Sequence, residues 1–265
     1  MSNFRVVLSS NEDPKYLEFW PIVSRAWKQL FDVKASLAFL TNRDYDDPFI
    51  SELEKHGEVV IFEPVADIPQ PNLAKVLRHI LASYYTEEIC LINDMDLLPL
   101  QRGYIDFFFK FVSEETLVTM GFDLYHGLEK GKFPIGNMMA YGKTFHKIVN
   151  PHGLSYPHLV TSWIGLKVFD HKEDISRTVH HENPDCFSDE SLFRALISKC
   201  EVPVLQFPIS FERCETIDRS AWNYDPAKLN AGYYVESHLL RPYSQHKEKI
   251  QPLIDYLNAV APYSI

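Results

Sequence analysis

The length, composition and charge of the chain limit the classes of protein to which it can belong. It has 265 residues, of which 46% are hydrophobic, so it can bury a core of ordinary size within one α/β domain. Its 26 basic and 36 acidic residues give a formal net charge of -10, which argues against a nucleic-acid backbone or an anionic membrane as the main partner.

The first thirty residues do not have the pattern of a signal peptide or an anchor, because Arg5, Glu12 and Lys15 interrupt their apolar positions. No apolar run approaches the ~20 residues that a membrane span requires. The cysteines show no C-x-x-C spacing and predict reduced thiols. They are Cys90, Cys186, Cys200 and Cys214. We therefore expect a cytoplasmic protein without a membrane span.

Residues 1–123 alternate short apolar runs with amphipathic stretches of helical period. This alternation predicts an α/β fold, a Rossmann-like central, mostly parallel sheet flanked by helices. The predicted strands are Phe4–Ser9, Val33–Thr41, Glu58–Phe62, Glu88–Asn93 and Thr116–Phe122. Helices are predicted from near Pro14 to Phe31 and from Asn72 to Tyr84.

In residues 124–265 glycine and proline interrupt the pattern more often, and aromatic residues and histidines become frequent. The clearest elements there are a short strand at Tyr233–Val235 and helices at Asp189–Lys199 and Gln245–Val260. We find no internal repeat and no linker long enough to separate two domains. The sequence therefore predicts a single domain.

The fourth predicted strand ends in two acidic residues, Asp94 and Asp96. In an extended chain residues i and i+2 point to the same side, so both carboxylates can bind one cation. Ligands of open α/β sheets bind beyond the carboxyl ends of the strands, which is where this pair lies. Carboxylate oxygens suit Mg²⁺ and Mn²⁺, and a cation held there can bridge two phosphates. The alternative is that the two aspartates only cap the next turn.

This motif and its position resemble the GT-A glycosyltransferases, in which a D-x-D motif ends a central strand of a nucleotide-binding sheet. The resemblance rests on Asp94–Asp96, on the segment Phe187–Phe193 and on the segment Glu236–Tyr243. The chain is also similar to small glycosyltransferase-like proteins of large DNA viruses and bacteria. The resemblance implies transfer of a sugar from a nucleoside-diphosphate donor, a UDP-sugar before a GDP-sugar, to a glycan or other hydroxyl acceptor. It also implies Mn²⁺ or Mg²⁺ as cofactor.

The resemblance assigns residues 1–123 to the nucleotide sugar and residues 124–265 to the acceptor side, with a C-terminal loop and helix. Ser9, Ser10 and Asn11 follow the first strand and are expected to contact the nucleoside. Alternatively, they form a polar turn that caps the next helix.

Two further sets of residues take roles from the resemblance. Lys75 and Arg78 precede the D-x-D strand and could reach the nucleotide, but we expect them on a solvated helix face. Asp189 or Glu190 is expected near the acceptor hydroxyl, and in inverting members such a carboxylate is the general base. We favour Asp189, although retaining families carry a similar acidic segment with a different role. The alternative is an acidic pair that complements a helix N-terminus.

The resemblance also implies roles for residues of the C-terminal segment, which supplies the remaining candidates. Arg219 and Trp222 lie on a predicted loop and are expected to clamp phosphate and sugar, unless Trp222 only anchors that loop. His238, placed just after the strand at Tyr233–Val235, is expected to be a third metal ligand, which would favour Mn²⁺ over Mg²⁺. Arg241 is expected to meet the diphosphate. His246 is the other candidate for the third metal ligand. A structural alternative is that His238 only packs the C-terminal segment onto the domain.

Other functions have less support. His171, His180 and His181 lack the paired spacing of a zinc site. Haloacid-dehalogenase-like phosphatases also use D-x-D, but normally after the first strand. A nucleotidyltransferase would show a glycine-rich basic loop after that strand, and no P-loop or dinucleotide-binding motif is present. A GT-A-like module that binds a nucleotide sugar or glycan without turnover stays open as the non-enzyme alternative.

Overall fold

The computed structural model describes residues 4–121, 133–164, 189–208 and 215–261. Its strands are β1 (Phe4–Asn11), β2 (Ala35–Leu40), β3 (Glu58–Phe62), β4 (Ile89–Asn93), β5 (Leu97–Pro99), β6 (Leu117–Met120), β7 (Asn137–Tyr141), β8 (Val204–Phe207), β9 (Glu215–Ile217) and β10 (Tyr234–His238). Its helices are α1 (Pro14–Leu17), α2 (Trp20–Phe31), α3 (Pro48–Glu54), α4 (Gln70–Tyr84), α5 (Arg102–Phe109), α6 (Gly142–Val149), α7 (Tyr156–Ile164), α8 (Asp189–Ile197), α9 (Pro226–Asn230) and α10 (Tyr243–Val260).

A seven-stranded sheet in the order β3-β2-β1-β4-β7-β6-β8 forms the centre of the fold. The strands β3, β2, β1 and β4 are parallel neighbours, and β6 pairs with β8 in parallel. Only β7 runs against its neighbours, since it pairs antiparallel with both β4 and β6. The predicted α/β fold with a central, mostly parallel sheet is therefore confirmed.

Helices cover both faces of this sheet, and successive side chains of a strand pack alternately on one face and the other. In β1, Val6 and Leu8 join one buried cluster with Trp20 and Trp27 of α2. The intervening Val7 joins a second cluster, which contains the apolar stripe of α4. Successive side chains of a strand point to opposite faces, so each face receives every second residue.

A smaller sheet in the order β5-β10-β9 lies just after the D-x-D strand. The strand β5 pairs antiparallel with β10, with His238 opposite Leu97. The amide of Leu239 also donates to the carbonyl of Asp96 over 2.8 Å. This pairing brings the C-terminal part of the chain against the end of β4.

The structure confirms the five strands predicted within residues 1–123, and no strand end shifts by more than two residues. The helix predicted from Pro14 to Phe31 is divided, because α1 ends at Leu17 and α2 begins at Trp20. The three-residue strand β5 was not predicted, since so short a run has no periodicity to detect. His238 is the last residue of β10 and does not follow the strand, because pairing with β5 extends it.

Some predictions lie outside the described residues, among them the arguments on His171, His180 and His181 and on Cys186 and Cys214. Cys90 and Cys200 are free thiols, as predicted. Within the described ranges, no helix is both long enough and apolar enough to cross a membrane.

Candidate metal and nucleotide-sugar site

Three possible metal ligands meet at the carboxyl end of β4. Asp94, Asp96 and His238 each offer one ligand atom, and these atoms lie within 4.8 Å of one another. His238 Nε2 is 3.6 Å from Asp94 Oδ2 and 3.8 Å from Asp96 Oδ1. Two carboxylate oxygens and one imidazole nitrogen form a donor set that suits Mn²⁺ or Mg²⁺. Among the described residues His246 is not part of such a group.

The second oxygen of each aspartate is held by arginine. Arg78 Nη1 donates to Asp94 Oδ1. Asp96 Oδ2 accepts from Arg219 Nη1, and Arg241 Nε lies 3.2 Å from the same oxygen. Each carboxylate therefore turns one oxygen toward His238 and the other toward a guanidinium. Contacts of this kind orient the ligand atoms of a metal site.

Arg78 connects the D-x-D motif to the start of α8. It is 5% exposed, and its Nη1 also donates to the carbonyl of Asn93 over 3.0 Å. Its Nη2 donates to Asp189 Oδ2 over 3.1 Å. The expectation that Arg78 faces solvent is therefore wrong. It lies in the buried stripe of α4, where a cation is stable because two carboxylates compensate its burial.

Charge interactions set the protonation of these groups. Burial alone would raise the pKa of Asp94, but the charges of Arg78 and His238 together hold that pKa well below its usual range. Burial alone would lower the pKa of His238, but the charges of Asp96 and Asp94 raise it overall. Without a metal, the imidazole thus acts as a partial counter-ion for the two carboxylates.

A buried polar chain lies beside this group. Asn93 Nδ2 donates to Asn137 Oδ1 over 2.7 Å, and Asn137 Nδ2 donates to Glu236 Oε2 over 2.8 Å. The two asparagines face each other in the pairing of β4 with β7. Burial raises the pKa of Glu236 to about 7, despite the hydrogen bond from Asn137 and the charge of His238.

The first strand ends at the same edge of the sheet. Because β1 and β4 are parallel neighbours, Ser9, Ser10 and Asn11 lie at the carboxyl end of β1, next to the carboxyl end of β4. Ser10 is buried, and its hydroxyl donates to the carbonyl of Asn11 over 2.8 Å. Asn11 Oδ1 accepts from the amide of Asp13, so this end of the strand forms a polar turn before α1.

Arg219 reaches Asp96 from a tight turn after β9. The carboxylate of Asp218 accepts from the amide of Ser220, and Asn223 Oδ1 accepts from the amide of Asp218 over 2.8 Å. Trp222 has a φ of 43°, in the left-handed region that is rare for such a side chain. Its half-buried ring packs against the core cluster beside α2, as expected of an anchor for the turn. The structure thus brings Arg219 to the aspartates and packs Trp222 on the core.

We compared the chain with known protein families, sequences and solved structures. No protein-family model matches the chain, and no curated protein sequence matches it. The structure of the galactosyltransferase LgtC in complex with donor and acceptor sugar analogues is similar over 98% of this chain and 97% of that one, with a TM-score of 0.51 and 10% identity. An active-site variant of LgtC gives a TM-score of 0.54 with 9% identity over the same shares. The chain has the GT-A fold.

A second GT-A protein is also similar. The apo form of the glycosyltransferase GlyE from Streptococcus pneumoniae has 13% identity and a TM-score of 0.51. The match covers 98% of this chain but only 64% of GlyE. At these identities the likeness establishes the fold, and the residue roles within it stay proposals. A closer similarity to small viral and bacterial proteins also stays a prediction.

Several residues of the site were not found from the sequence. Glu236 lies two residues before His238 in a strand, so its side chain points to the same side, and this spacing was a usable signal. Asn137 had no such signal, because only the antiparallel pairing of β7 places it opposite Asn93. Glu190 begins α8 beside Asp189, as predicted.

Proposed function

We propose that this protein is a metal-dependent glycosyltransferase of the hexosyltransferase type. It transfers a sugar from a nucleoside-diphosphate donor, with UDP-sugars favoured over GDP-sugars, to a glycan or other hydroxyl acceptor. The observation that carries the proposal is the convergence of Asp94, Asp96 and His238 within 4.8 Å at the carboxyl end of β4, in a GT-A fold. The complex of LgtC with donor and acceptor sugar analogues supports the substrate class.

In this proposal the three ligand atoms hold Mn²⁺ or Mg²⁺. A divalent cation bound there would neutralise the charge that develops on the departing nucleoside diphosphate. The imidazole of His238 favours Mn²⁺, because nitrogen suits the softer ion. Arg78, Arg219 and Arg241 fix the other oxygens of the aspartates, so the ligand atoms are oriented before substrate arrives.

Arg219 and Arg241 have a second proposed role at the donor diphosphate. Both guanidiniums lie on Asp96, so cations stand beside the place where the phosphates would bind. Guanidinium groups pair well with phosphate oxygens. Ser9, Ser10 and Asn11 are proposed nucleoside contacts at the neighbouring strand end. Trp222 would contact the sugar only if its turn moved away from the core.

Asp189 is the proposed general base for the acceptor hydroxyl. The residue is 7% exposed, and its carboxylate shares Arg78 with that of Asp94, so one guanidinium joins the proposed base to the proposed metal ligands. Glu190 is the neighbouring alternative on the same helix. In an inverting reaction the base would remove the acceptor proton as the oxygen attacks the anomeric carbon. A retaining reaction would give the acidic pair another role.

A thermal-shift panel of nucleoside diphosphates tests the proposal. A ligand that binds only the folded protein must raise its melting temperature. We expect UDP, or next GDP, to stabilise the protein with Mn²⁺ and to have little effect in EDTA, because the two aspartates repel a bare diphosphate. The matched variant is Asp96→Asn, which should lose the Mn²⁺-dependent shift and the transfer activity but keep the fold. Equal stabilisation by UDP in EDTA would contradict metal dependence.

The competing proposal is a GT-A-like module that binds without turnover. The two proposals differ in the fate of the donor. A transferase should hydrolyse a nucleotide sugar slowly with Mn²⁺ when no acceptor is present, whereas a binding module should leave it intact. Release of free UDP or GDP, followed by chromatography and compared with Asp96→Asn, separates them.

A further inference from the structure

A cavity of about 680 Å³ lies between α2, α10 and the segments that precede β2 and β3. Its lining includes Lys34 and His56, which come just before β2 and β3. Because these strands are parallel to β4, their amino ends lie at the edge of the sheet opposite to the end of β4 that carries Asp94. This part of the cavity is therefore separate from the metal and donor site.

The cavity is basic in a protein whose formal net charge is -10. Arg25, Lys28, Lys34 and Lys55 line it together with His56, and its described lining residues include no aspartate or glutamate. Four cations in one concave surface raise the local concentration of anions, and the field is stronger in a cleft than on a flat surface.

The ion pairs made by these cations leave them able to bind a ligand. Lys28 pairs with Asp32 and Lys55 pairs with Glu52, each over 2.5 Å on an exposed surface. Exposed pairs of this kind contribute only about 0–1 kcal/mol, so an anionic ligand can replace them. Burial, followed by the charges of Lys55 and Arg25, lowers the pKa of His56 despite the nearby Glu52. Burial is the main cause of this shift, and the two cations add to it.

One wall of the cavity is apolar. It is formed by Pro21, Ile22 and Val33, with Ile254 and the ring of Tyr243 from α10. A concave site with an apolar wall and a few cations suits a ligand that carries anionic groups on a partly apolar body. Inorganic ions alone would leave this wall without a contact.

We propose that this cavity binds a phosphorylated ligand, with its phosphate groups on Arg25 and Lys55 and its less polar part against Ile22, Ile254 and Tyr243. The shared chemistry is a phosphate ester, whether of a soluble metabolite or of a lipid headgroup. The site does not depend on the proposed transferase activity, because it shares no residue with the group around Asp94.

Calorimetric titration of the full chain with inorganic pyrophosphate, at low salt in buffer passed over a chelating resin, tests the proposal. We expect binding that weakens as NaCl is added, because salt screens exposed charges. The double variant Arg25→Ala/Lys55→Ala should bind at least about tenfold more weakly, since hydrogen bonds to charged groups contribute at least that much. Both side chains are exposed, so the variant should fold.

Two matched variants separate this site from other cations. Lys110→Ala/Lys147→Ala changes the net charge equally at exposed positions outside the cavity and should bind pyrophosphate like the wild type. Arg219→Ala/Arg241→Ala removes the cations proposed for the donor diphosphate. It should retain pyrophosphate binding in this metal-free buffer, because without a cation Asp94 and Asp96 repel a diphosphate at the donor site. A loss in either of these variants equal to that in Arg25→Ala/Lys55→Ala, or no binding by the wild type, would overturn the proposal.

A second assay, with lipid vesicles, shows whether the cavity binds a lipid headgroup or a soluble phosphate ester. Sedimentation with vesicles that contain phosphatidic acid, compared with purely zwitterionic vesicles, reports on a lipid headgroup. Binding to the acidic vesicles that is lost in Arg25→Ala/Lys55→Ala assigns the site to headgroups. Pyrophosphate binding without vesicle binding assigns it to soluble phosphate esters.

Discussion

Each carboxylate of the D-x-D pair uses its two oxygens differently. Asp94 Oδ2 and Asp96 Oδ1 face His238, whereas the remaining oxygens face Arg78 and Arg219. This division prevents the arginines from occupying the ligand atoms that point to His238. Arg78, Arg219 and Arg241 can therefore lie against the two aspartates while one oxygen of each aspartate stays available for a metal ion.

The role of His238 can be tested against the other C-terminal histidine. His238→Ala should weaken Mn²⁺-dependent UDP or GDP binding by about tenfold or more, because even the supporting contacts of metal ligands are worth about 10–100-fold. The difference in nucleotide affinity between Mn²⁺ and Mg²⁺ should become smaller. Calorimetry with each metal measures both effects. His246→Ala is the control, and a loss confined to that variant would assign the ligand to His246.

The proposed base can be separated from a donor contact by kinetics. Asp189→Asn should lower kcat by about 10²–10⁴-fold, as expected for a lost general base, while UDP binding with Mn²⁺ stays close to the wild type. The amide keeps one oxygen for the hydrogen bond from Arg78. Glu190→Gln is the matched control on the same helix. Reduced donor affinity with unchanged kcat would instead assign Asp189 to sugar recognition.

At the scale of elements, one ionic network joins the amino ends of four strands. Arg5 of β1 donates to both oxygens of Glu88, each over 2.9 Å, just before β4. It also donates to Ser36 of β2 over 2.7 Å and contacts Glu58 of β3. Its guanidinium lies 3.8 Å from the ring centre of Tyr85. The network fixes the relative positions of these strands, and the opposite ends of β1 and β4 carry residues of the proposed site.

The network predicts a dependence of stability on pH. Burial alone would raise the pKa of Glu58, but hydrogen bonds from Ser36 and Tyr85 and the charge of Arg5 lower it below the ordinary 4.5. A carboxyl whose folded pKa is lowered stabilises the protein above its unfolded pKa and loses that contribution as pH falls.

Glu58→Gln should therefore lower the melting temperature at pH 7, and the difference from the wild type should shrink below about pH 4.5. Differential scanning calorimetry from pH 3 to 7 measures this difference. Glu54→Gln, at the exposed end of α3, serves as the control and should follow the wild type. A constant difference across this pH range would show that ionisation of Glu58 contributes nothing.

At the scale of the whole molecule, the proposed donor and acceptor halves share one sheet. The strand β7, from residues 124–265, covers the edge of β4, and Phe145 and Ile148 of α6 pack in the same cluster as α4. Glu236 and His238 likewise come from the end of the chain to complete the group at β4. The two halves thus have different proposed roles but contribute to the same sheet and the same buried cluster.

This shared core predicts that residues 1–123 do not fold alone. Removal of the rest exposes the edge of β4 and half of the cluster beside α4, so the fragment should lack a cooperative thermal transition. Circular dichroism of the fragment and of the full chain measures this. A chain that ends at residue 261 is the control and should unfold cooperatively. A cooperative transition in the fragment would mean that the first half is an independent domain.

The sequence by itself determined the strands from β1 to β4 and the position of Asp94 and Asp96 at the end of β4. These features depend on local periodicity and on two carboxylates at the end of an apolar strand, both of which are visible in a short window. The start of α8 at Asp189 was equally visible. His238 was placed near the metal ligands only through a family resemblance.

Only the tertiary structure decided which groups surround the two aspartates. Arg78 looked like a solvated residue because a single cation in an amphipathic helix usually faces water, and its buried position depends on two carboxylates that lie 16 and 111 positions away. Asn137 and Glu236 reach the site through strand pairing. Arg219 was expected at the donor, but its contact with Asp96 depends on the turn after β9. Such pairings are set by packing between distant segments, which local sequence patterns do not encode.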